Sequence, residues 1–307
     1  MSKESIEQSI RHCYSTWGTR YYSDYYESDG AYPPVHTEIV RKLLRQYGVK
    51  TVIDAGCGPA SMLRDLDLPG LQRFGFDLTP EMVIEARRVL SIQGVPSSHV
   101  WEGSVLDQAA FRGPANAPHN GFDAALCFGV LPHVPADCDS MVLSHLAAAV
   151  RPGGLIACEA RNELFSLFTL NRYSRDLFRS QLIREEDLKD RIQDPAEIAA
   201  LEEALSQLDQ RFRVDLPPVR KGYQDEPGYD EVLSRTHNPF VLRAAAERAG
   251  LVDIRISFYH YHILPPMLEK HLPDLFRRES LAMEDPTDWR GHFMASAFIL
   301  TGHRGDP

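Results

Sequence analysis

The chain has 307 residues, 43% of them hydrophobic and 25% charged, a composition that suits one large domain with insertions or two small ones. Its formal net charge is −10, and with no basic tail or Lys/Arg block it argues against nucleic acid as a partner. The five cysteines (Cys13, Cys57, Cys127, Cys138, Cys158) are scattered without CxxC spacing, which disfavours a disulfide framework or zinc site; with no h-region and no apolar run of roughly 18–20 residues, a cytoplasmic protein with no membrane partner is expected.

In chain order, the first unusual stretch is WGTRYYSDYYESDGAYPPVH, with Tyr21, Tyr22, Tyr25, Tyr26 and Tyr32 beside Trp17. It reads either as a packed amphipathic segment or as an aromatic cover over a ligand. Residues 36–48 place Ile39, Val40, Leu43 and Leu44 at helical spacing and end in a glycine. KTVIDAG is a buried strand, followed by a glycine turn and a helix after Pro59. QRFGFDLT is a second strand; the helix PEMVIEARRVL then opens on Pro80, whose missing N–H costs nothing there. SHVWEGSVLD is a third strand and turn. FDAALCFGVL is a fourth, unbroken and apolar as a parallel strand covered on both faces should be. MVLSHLAAAVRPGG is a helix with a glycine stop, and LIACEAR a fifth strand.

This alternation predicts an α/β fold with a doubly wound, mostly parallel sheet. Around Asn162 the rhythm breaks, and about seventy residues read as mostly helical. It resumes with the helix NPFVLRAAAERAGL, with Asn238 as N-cap and Gly250 as stop, and with the strands VDIRISFYHYH and HFMASAFILTGH. The expected organisation is an N-terminal lid segment over 1–47, a core over 48–160 and 237–304, and a helical cap over 161–236 on the substrate side.

Ligands of such sheets sit beyond the carboxyl ends of the strands. Gly56 permits a tight turn there, and Gly58 lets a ligand approach bare backbone. The dinucleotide fingerprint G-x-G-x-x-G fails, because its sixth residue is Ser61 and Pro59 intervenes. Asp77, 23 residues after Asp54, ends the second strand, where a carboxylate can accept from both hydroxyls of an unphosphorylated ribose. Asp54 beside the loop repels a pyrophosphate and suits an ammonium or sulfonium. The residues therefore describe an adenosine ligand without phosphates.

VIDAGCGPA, GFDLTPEMVIEAR, EGSVLD, FDAALCFGVLPHV and LAAAVRPGGLIACEA resemble, in order and spacing over about residues 48–160, the successive motifs of class I S-adenosylmethionine-dependent methyltransferases. The resemblance implies a seven-stranded sheet whose last strand is antiparallel, S-adenosylmethionine as cofactor, and methyl transfer by in-line displacement to an oxygen or nitrogen. It puts Asp54, Gly56 and Gly58 at the methionine end of the cofactor, Asp77 on the ribose, and Leu78 and Met82 beside the adenine. Phe128 and Gly129 would face the amino-acid portion. Many members carry an acid directly after the glycine of the EGSVLD turn; here Ser104 stands there, leaving that hydroxyl or backbone to meet the adenine edge. Ala60 replaces the loop's third glycine.

For the transfer itself, His133 and Glu159 are the candidate catalytic residues, His133 alternatively ordering its loop. Arg161 and Asn162 at the rim, Arg172 or Arg175 as a clamp for an anionic acceptor, His237, Tyr22 and Tyr26 are the candidate substrate contacts. The arginines read more simply as solvated helix charge, and the acidic stretch 185–209 as an exposed face or the contact of a homodimer. His260 and His262 share a strand face in an H-x-H pattern, but aromatic packing explains them without a metal, and none is expected. A closed cap suits a small-molecule acceptor. The rivals are a nicotinamide oxidoreductase, a protein or RNA methyltransferase, and a cofactor-binding scaffold without turnover.

Overall fold

The computed structural model describes residues 3–17, 34–216 and 232–305. The chain divides into two compact units, one of Met1–Arg161, Lys221–Ser257 and Ala297–Pro307, the other of Asn162–Arg220 and Phe258–Ser296. The sequence pattern had put 258–296 with the core and 221–236 with the cap. Side-chain chemistry explains the placement of 258–296. Asn162 is 2% exposed, and its amide donates to the carbonyls of Gly291, His292 and Ala295 at 2.8–3.2 Å, stitching the two pieces of the second unit together.

In the first unit, α1 (Lys3–Trp17) and α2 (Val35–Gln46) precede β1 (Thr51–Ala55), α3 (Ser61–Asp65), β2 (Gln72–Asp77), α4 (Pro80–Ser91), β3 (Val100–Glu102), β4 (Phe122–Cys127), α5 (Asp139–Ala149) and β5 (Val150–Arg161). After the second unit's first piece come α6 (Pro239–Arg248), β6 (Leu251–Tyr261) and β7 (Ala295–Arg304). The strands form one seven-stranded sheet in the order β3-β2-β1-β4-β5-β7-β6, with β1 to β5 parallel and β7 antiparallel to β5. The order reverses between β1 and β4, the point where such sheets open a crevice at their carboxyl ends.

The apolar runs account for the core. Ile53 of β1, Phe74 and Phe76 of β2, Leu126 of β4, and Phe298 of β7 are fully buried, as strands covered on both faces must be. On α4, Met82, Val83, Ala86, Val89 and Leu90 are buried at helical spacing, and Pro80 holds the first-turn position. Asn238 caps α6, its side chain accepting from Phe240 N. Helix α5 stops at Ala149, four residues short of the glycine that reads as its end. Val150 already pairs with Phe122 of β4, so sheet formation overrides the glycine signal.

In the second unit, short helices dominate the piece up to Leu216. Its arginines are paired internally: Arg175 with Asp176 (2.5 Å), and Arg179 with both Glu185 (2.5 Å) and Asp209 (2.9 Å). The piece 258–296 carries a further helix, Pro273–Ala282, which the sequence pattern left unassigned. Gly291 lies so close to Phe258 and Tyr261 that a Cβ there would sit 2.4 Å from the Phe258 side chain. No helix among the described residues is long and apolar enough to cross a membrane.

Candidate functional site

The turn after β1 is built by two backbone hooks. Gly56 N and Cys57 N both donate to the carbonyl of Phe76, at 2.8 and 2.9 Å. Gly56 has φ +81°, and a Cβ on it would lie 2.4 Å from Val130, so only glycine fits. Gly58 N then donates to Asp77 Oδ2 (2.8 Å), while Thr79 N donates to Oδ1 (2.9 Å). One carboxylate thus ties the loop after β1 to the loop after β2. A Cβ on Gly58 would meet nothing within 4 Å, leaving open space before its backbone. Ala60 adopts φ +64°, a left-handed conformation that costs a non-glycine residue about 1–2 kcal/mol.

Asp54, at the end of β1, is 2% exposed. Its Oδ1 is buried with no hydrogen-bond partner among the described residues. Burial, and secondarily the charge of Asp77, push its carboxyl up to about 7. Burial likewise raises Asp77, opposed by the two amides it accepts from. A buried carboxylate without a partner is costly and is the place for a cationic ligand.

At the end of β4, Gly129 has φ +70° with open space where a Cβ would be. Its N–H donates to Glu159 Oε2 on β5 at 2.7 Å. His36, opening α2, stacks on Phe128 with ring centroids 6.1 Å apart. Burial lowers the His36 pKa against the pull of Glu159 and Asp65.

His133 follows in the same loop, 7% exposed. Its Nδ1 lies 2.7 Å from the Leu233 carbonyl, an acceptor only, so Nδ1 carries the proton and Nε2 offers its lone pair. Tyr14 of α1 donates its hydroxyl to that Nε2 at 3.1 Å. Burial, the largest influence, brings His133 down to about 4, so the ring is neutral near pH 7. Helix α1 makes two more contacts here. Arg11 Nη1 meets Glu102 Oε1 at 2.8 Å, and Ser104 Oγ donates to the Glu7 carboxylate.

A family model described as "Methyltransferase domain" matches residues 53–156. A ubiquinone biosynthesis O-methyltransferase of Xanthomonas oryzae pv. oryzae (strain PXO99A) is 30% identical over 186 residues, 57% of this chain and 72% of the relative. The chain is a member of the class I S-adenosylmethionine-dependent methyltransferases. The corresponding enzyme of Xanthomonas axonopodis pv. citri (strain 306) is 30% identical over 152 residues, 48% of this chain and 59% of that relative's length. The magnesium protoporphyrin IX methyltransferase of Synechocystis PCC 6803 shares the fold, with TM-score 0.50 at 16% identity, covering 97% of this chain and 100% of that one.

S-adenosylmethionine is the cofactor of this methyltransferase family, and the residues present fit it. The unpartnered Asp54 oxygen suits a positive ligand. Gly58 and Gly129 leave room at bare backbone. Asp77 accepts two amides and, as a carboxylate with about four acceptor sites, has capacity left for hydroxyls. Met82 is buried, and Gly103 N donates to the Asp77 carbonyl (2.9 Å), bringing the β3 turn with Ser104 beside β2.

Of the remaining sequence candidates, Arg161 lies near enough to His133 for its charge to act on that ring, and the others have partners of their own or lie outside the described residues. Tyr22 and Tyr26 lie outside the described residues. Asn162 is not a rim contact: its NH₂ is committed to three carbonyls and its Oδ1 to Leu164 N. Arg172 donates to the Leu216 carbonyl within the second unit. Arg161 donates to Ser234, and its carbonyl accepts from His237 N at 2.7 Å. His237 is 4% exposed, with Nε2 3.6 Å from Asp139. His260 and His262 stack on each other at 5.1 Å, and the described residues hold no cluster of three metal-ligating side chains. Sequence reasoning missed Glu7, Tyr14 and His36. Only the 7, 11, 14 spacing of the first two with Arg11, one face of a helix, could have drawn notice.

Proposed function

We propose that this methyltransferase moves the methyl group of S-adenosylmethionine to a hydroxyl of a small molecule. The observation that carries the reading is the buried Asp54 carboxylate with an unpartnered oxygen, set beside open glycine backbone and the Asp77 carboxylate. The cofactor supplies a methyl group already activated on a positively charged sulfur. The chain's own task is then alignment, which in favourable cases lowers a barrier by about 7–11 kcal/mol.

Asp77 holds the ribose hydroxyls while fixing the loop through Gly58 N and Thr79 N. Asp54 and the Gly56–Gly58 backbone take the charged methionine end, with Phe128 and Gly129 opposite. Leu78 and Met82 border the base. Glu159 serves as a positioning residue by anchoring Gly129. His133 also acts through a neighbour: both ring nitrogens are engaged, and Nε2 fixes the Tyr14 hydroxyl hydrogen. The Tyr14 hydroxyl, so oriented, accepts a hydrogen bond from the incoming hydroxyl through an oxygen lone pair and orients the acceptor. An oxygen acceptor is supported by the Xanthomonas relatives, which are ubiquinone biosynthesis O-methyltransferases. The acidic net charge of −10 favours a small acceptor over nucleic acid.

The test is a panel of small hydroxyl- and amine-bearing metabolites incubated with enzyme and cofactor, with S-adenosylhomocysteine quantified. Thioether formation that depends on a hydroxyl-bearing small molecule is expected. Methyl incorporation into protein or RNA alone would overturn the acceptor class. Cofactor binding with no thioether from any acceptor would make the chain a scaffold.

A further inference from the structure

Three contacts come from one face of α1. Glu7, Arg11 and Tyr14 stand at i, i+4 and i+7, and they reach Ser104, Glu102 and His133 respectively. Arg11 is also close enough to Asp77 for its charge to lower that carboxyl. The helix therefore lies along the carboxyl ends of β2 and β3, over the turn through Gly103 and Ser104. That turn is hooked to β2 by Gly103 N on the Asp77 carbonyl, at 2.9 Å.

A nucleoside whose ribose sits on Asp77 carries its base toward this turn, and adenine presents there an exocyclic amine that needs an acceptor. Two side-chain acceptors of the turn are turned to other donors. Glu102 is ion-paired with Arg11. Ser104 gives its single hydrogen to Glu7 and accepts from Leu106 N at 3.0 Å. Among the described residues the Glu7 carboxylate takes one hydrogen bond, from Ser104, and a carboxylate has about four acceptor sites.

We propose that Glu7, carried by the N-terminal helix and steered by Ser104, accepts the adenine amine of the cofactor and sets the base specificity of the site. The inference rests on the methyltransferase reading above and deepens it. A 6-oxo base in the same place would turn a carbonyl oxygen toward the carboxylate and be rejected.

The experiment measures dissociation constants of S-adenosylhomocysteine and of its 6-oxo counterpart, S-inosylhomocysteine, for wild type, Glu7→Ala and Glu7→Gln, with melting curves as a fold control. Wild type is expected to prefer the amino compound by about ten- to a hundredfold, the range for a hydrogen bond to a charged group. Glu7→Ala should lose that preference by weakening the amino compound alone. Glu7→Gln, nearly isosteric, should bind the 6-oxo compound better than wild type does, because its amide N–H can donate to the carbonyl. Wild-type discrimination retained in both variants overturns the role of Glu7 and leaves the cofactor reading intact. Failure of wild type to bind either nucleoside overturns both.

Discussion

Asp54 illustrates how a binding residue can work against the fold that carries it. Its carboxyl is raised to about 7 by burial first and by Asp77 second, whereas in the unfolded chain it ionises near 4. Between those values the native state holds a proton that the unfolded state has released, so this group's contribution to stability falls as pH rises from about 4 to about 7. At pH 8 Asp54→Asn should therefore stabilise the ligand-free protein by about 2–4 kcal/mol, read as a rise in melting temperature, while weakening cofactor binding. A positively charged ligand favours the ionised form. Affinity for S-adenosylmethionine should fall by up to about tenfold per pH unit below 7, more steeply than for the uncharged thioether, as calorimetry at pH 6 and 8 will show. Ala60 offers a second check. Its left-handed φ of +64° costs more than the freedom a glycine loses on folding, so Ala60→Gly should stabilise by about 0.5–1 kcal/mol in urea denaturation. At this scale Asp54, Asp77 and the two glycines are legible in the sequence because their spacing is local. The clamp of Asp77 on Gly58 N and Thr79 N is not, since it exists only once two loops meet.

Helix α1 meets the turns after the strands through Glu7, Arg11 and Tyr14. An amphipathic pattern announces a helix but not its docking partner, which is why Glu7 and Tyr14 went unread while the motifs of β1, β2 and β4 stood out. His133 was legible as a loop histidine after β4. Its tautomer was not, because the Leu233 carbonyl that fixes it lies a hundred residues away in sequence. Tyr14→Phe removes one hydroxyl and should lower kcat by about tenfold or more with cofactor affinity unchanged; steady-state kinetics at saturating cofactor will check it. The end of β5 misled in the opposite sense. Asn162 follows the strand as a rim residue would, yet it is a buried staple of the second unit. Asn162→Ala should cost about 1–3 kcal/mol of stability by leaving buried carbonyls unpaired, with cofactor affinity retained.

For the whole molecule, the legible part is the contiguous part. Residues 53–156, which match the methyltransferase model, contain Asp54, Asp77 and most of the proposed cofactor contacts within one compact unit. The second unit is assembled from Asn162–Arg220 and Phe258–Ser296, and no local pattern announces that two segments so far apart pack as one body. Of its arginines, the two candidates for an anionic acceptor are engaged within the unit, Arg175 with Asp176 and Arg172 with the Leu216 carbonyl, and Arg179 pairs with Glu185 and Asp209, so charge counting along the chain overstates what is available to meet a ligand.

The most direct test of the nucleoside site is titration calorimetry of S-adenosylmethionine and S-adenosylhomocysteine at pH 8 against wild type and Asp77→Asn, with NAD as control. Saturable binding of both nucleosides to wild type is expected, weakened about tenfold or more in the variant, with no binding of NAD. Equal affinity in the variant, or preference for NAD, would contradict the assignment of Asp54 and Asp77 to a phosphate-free, positively charged adenosine ligand.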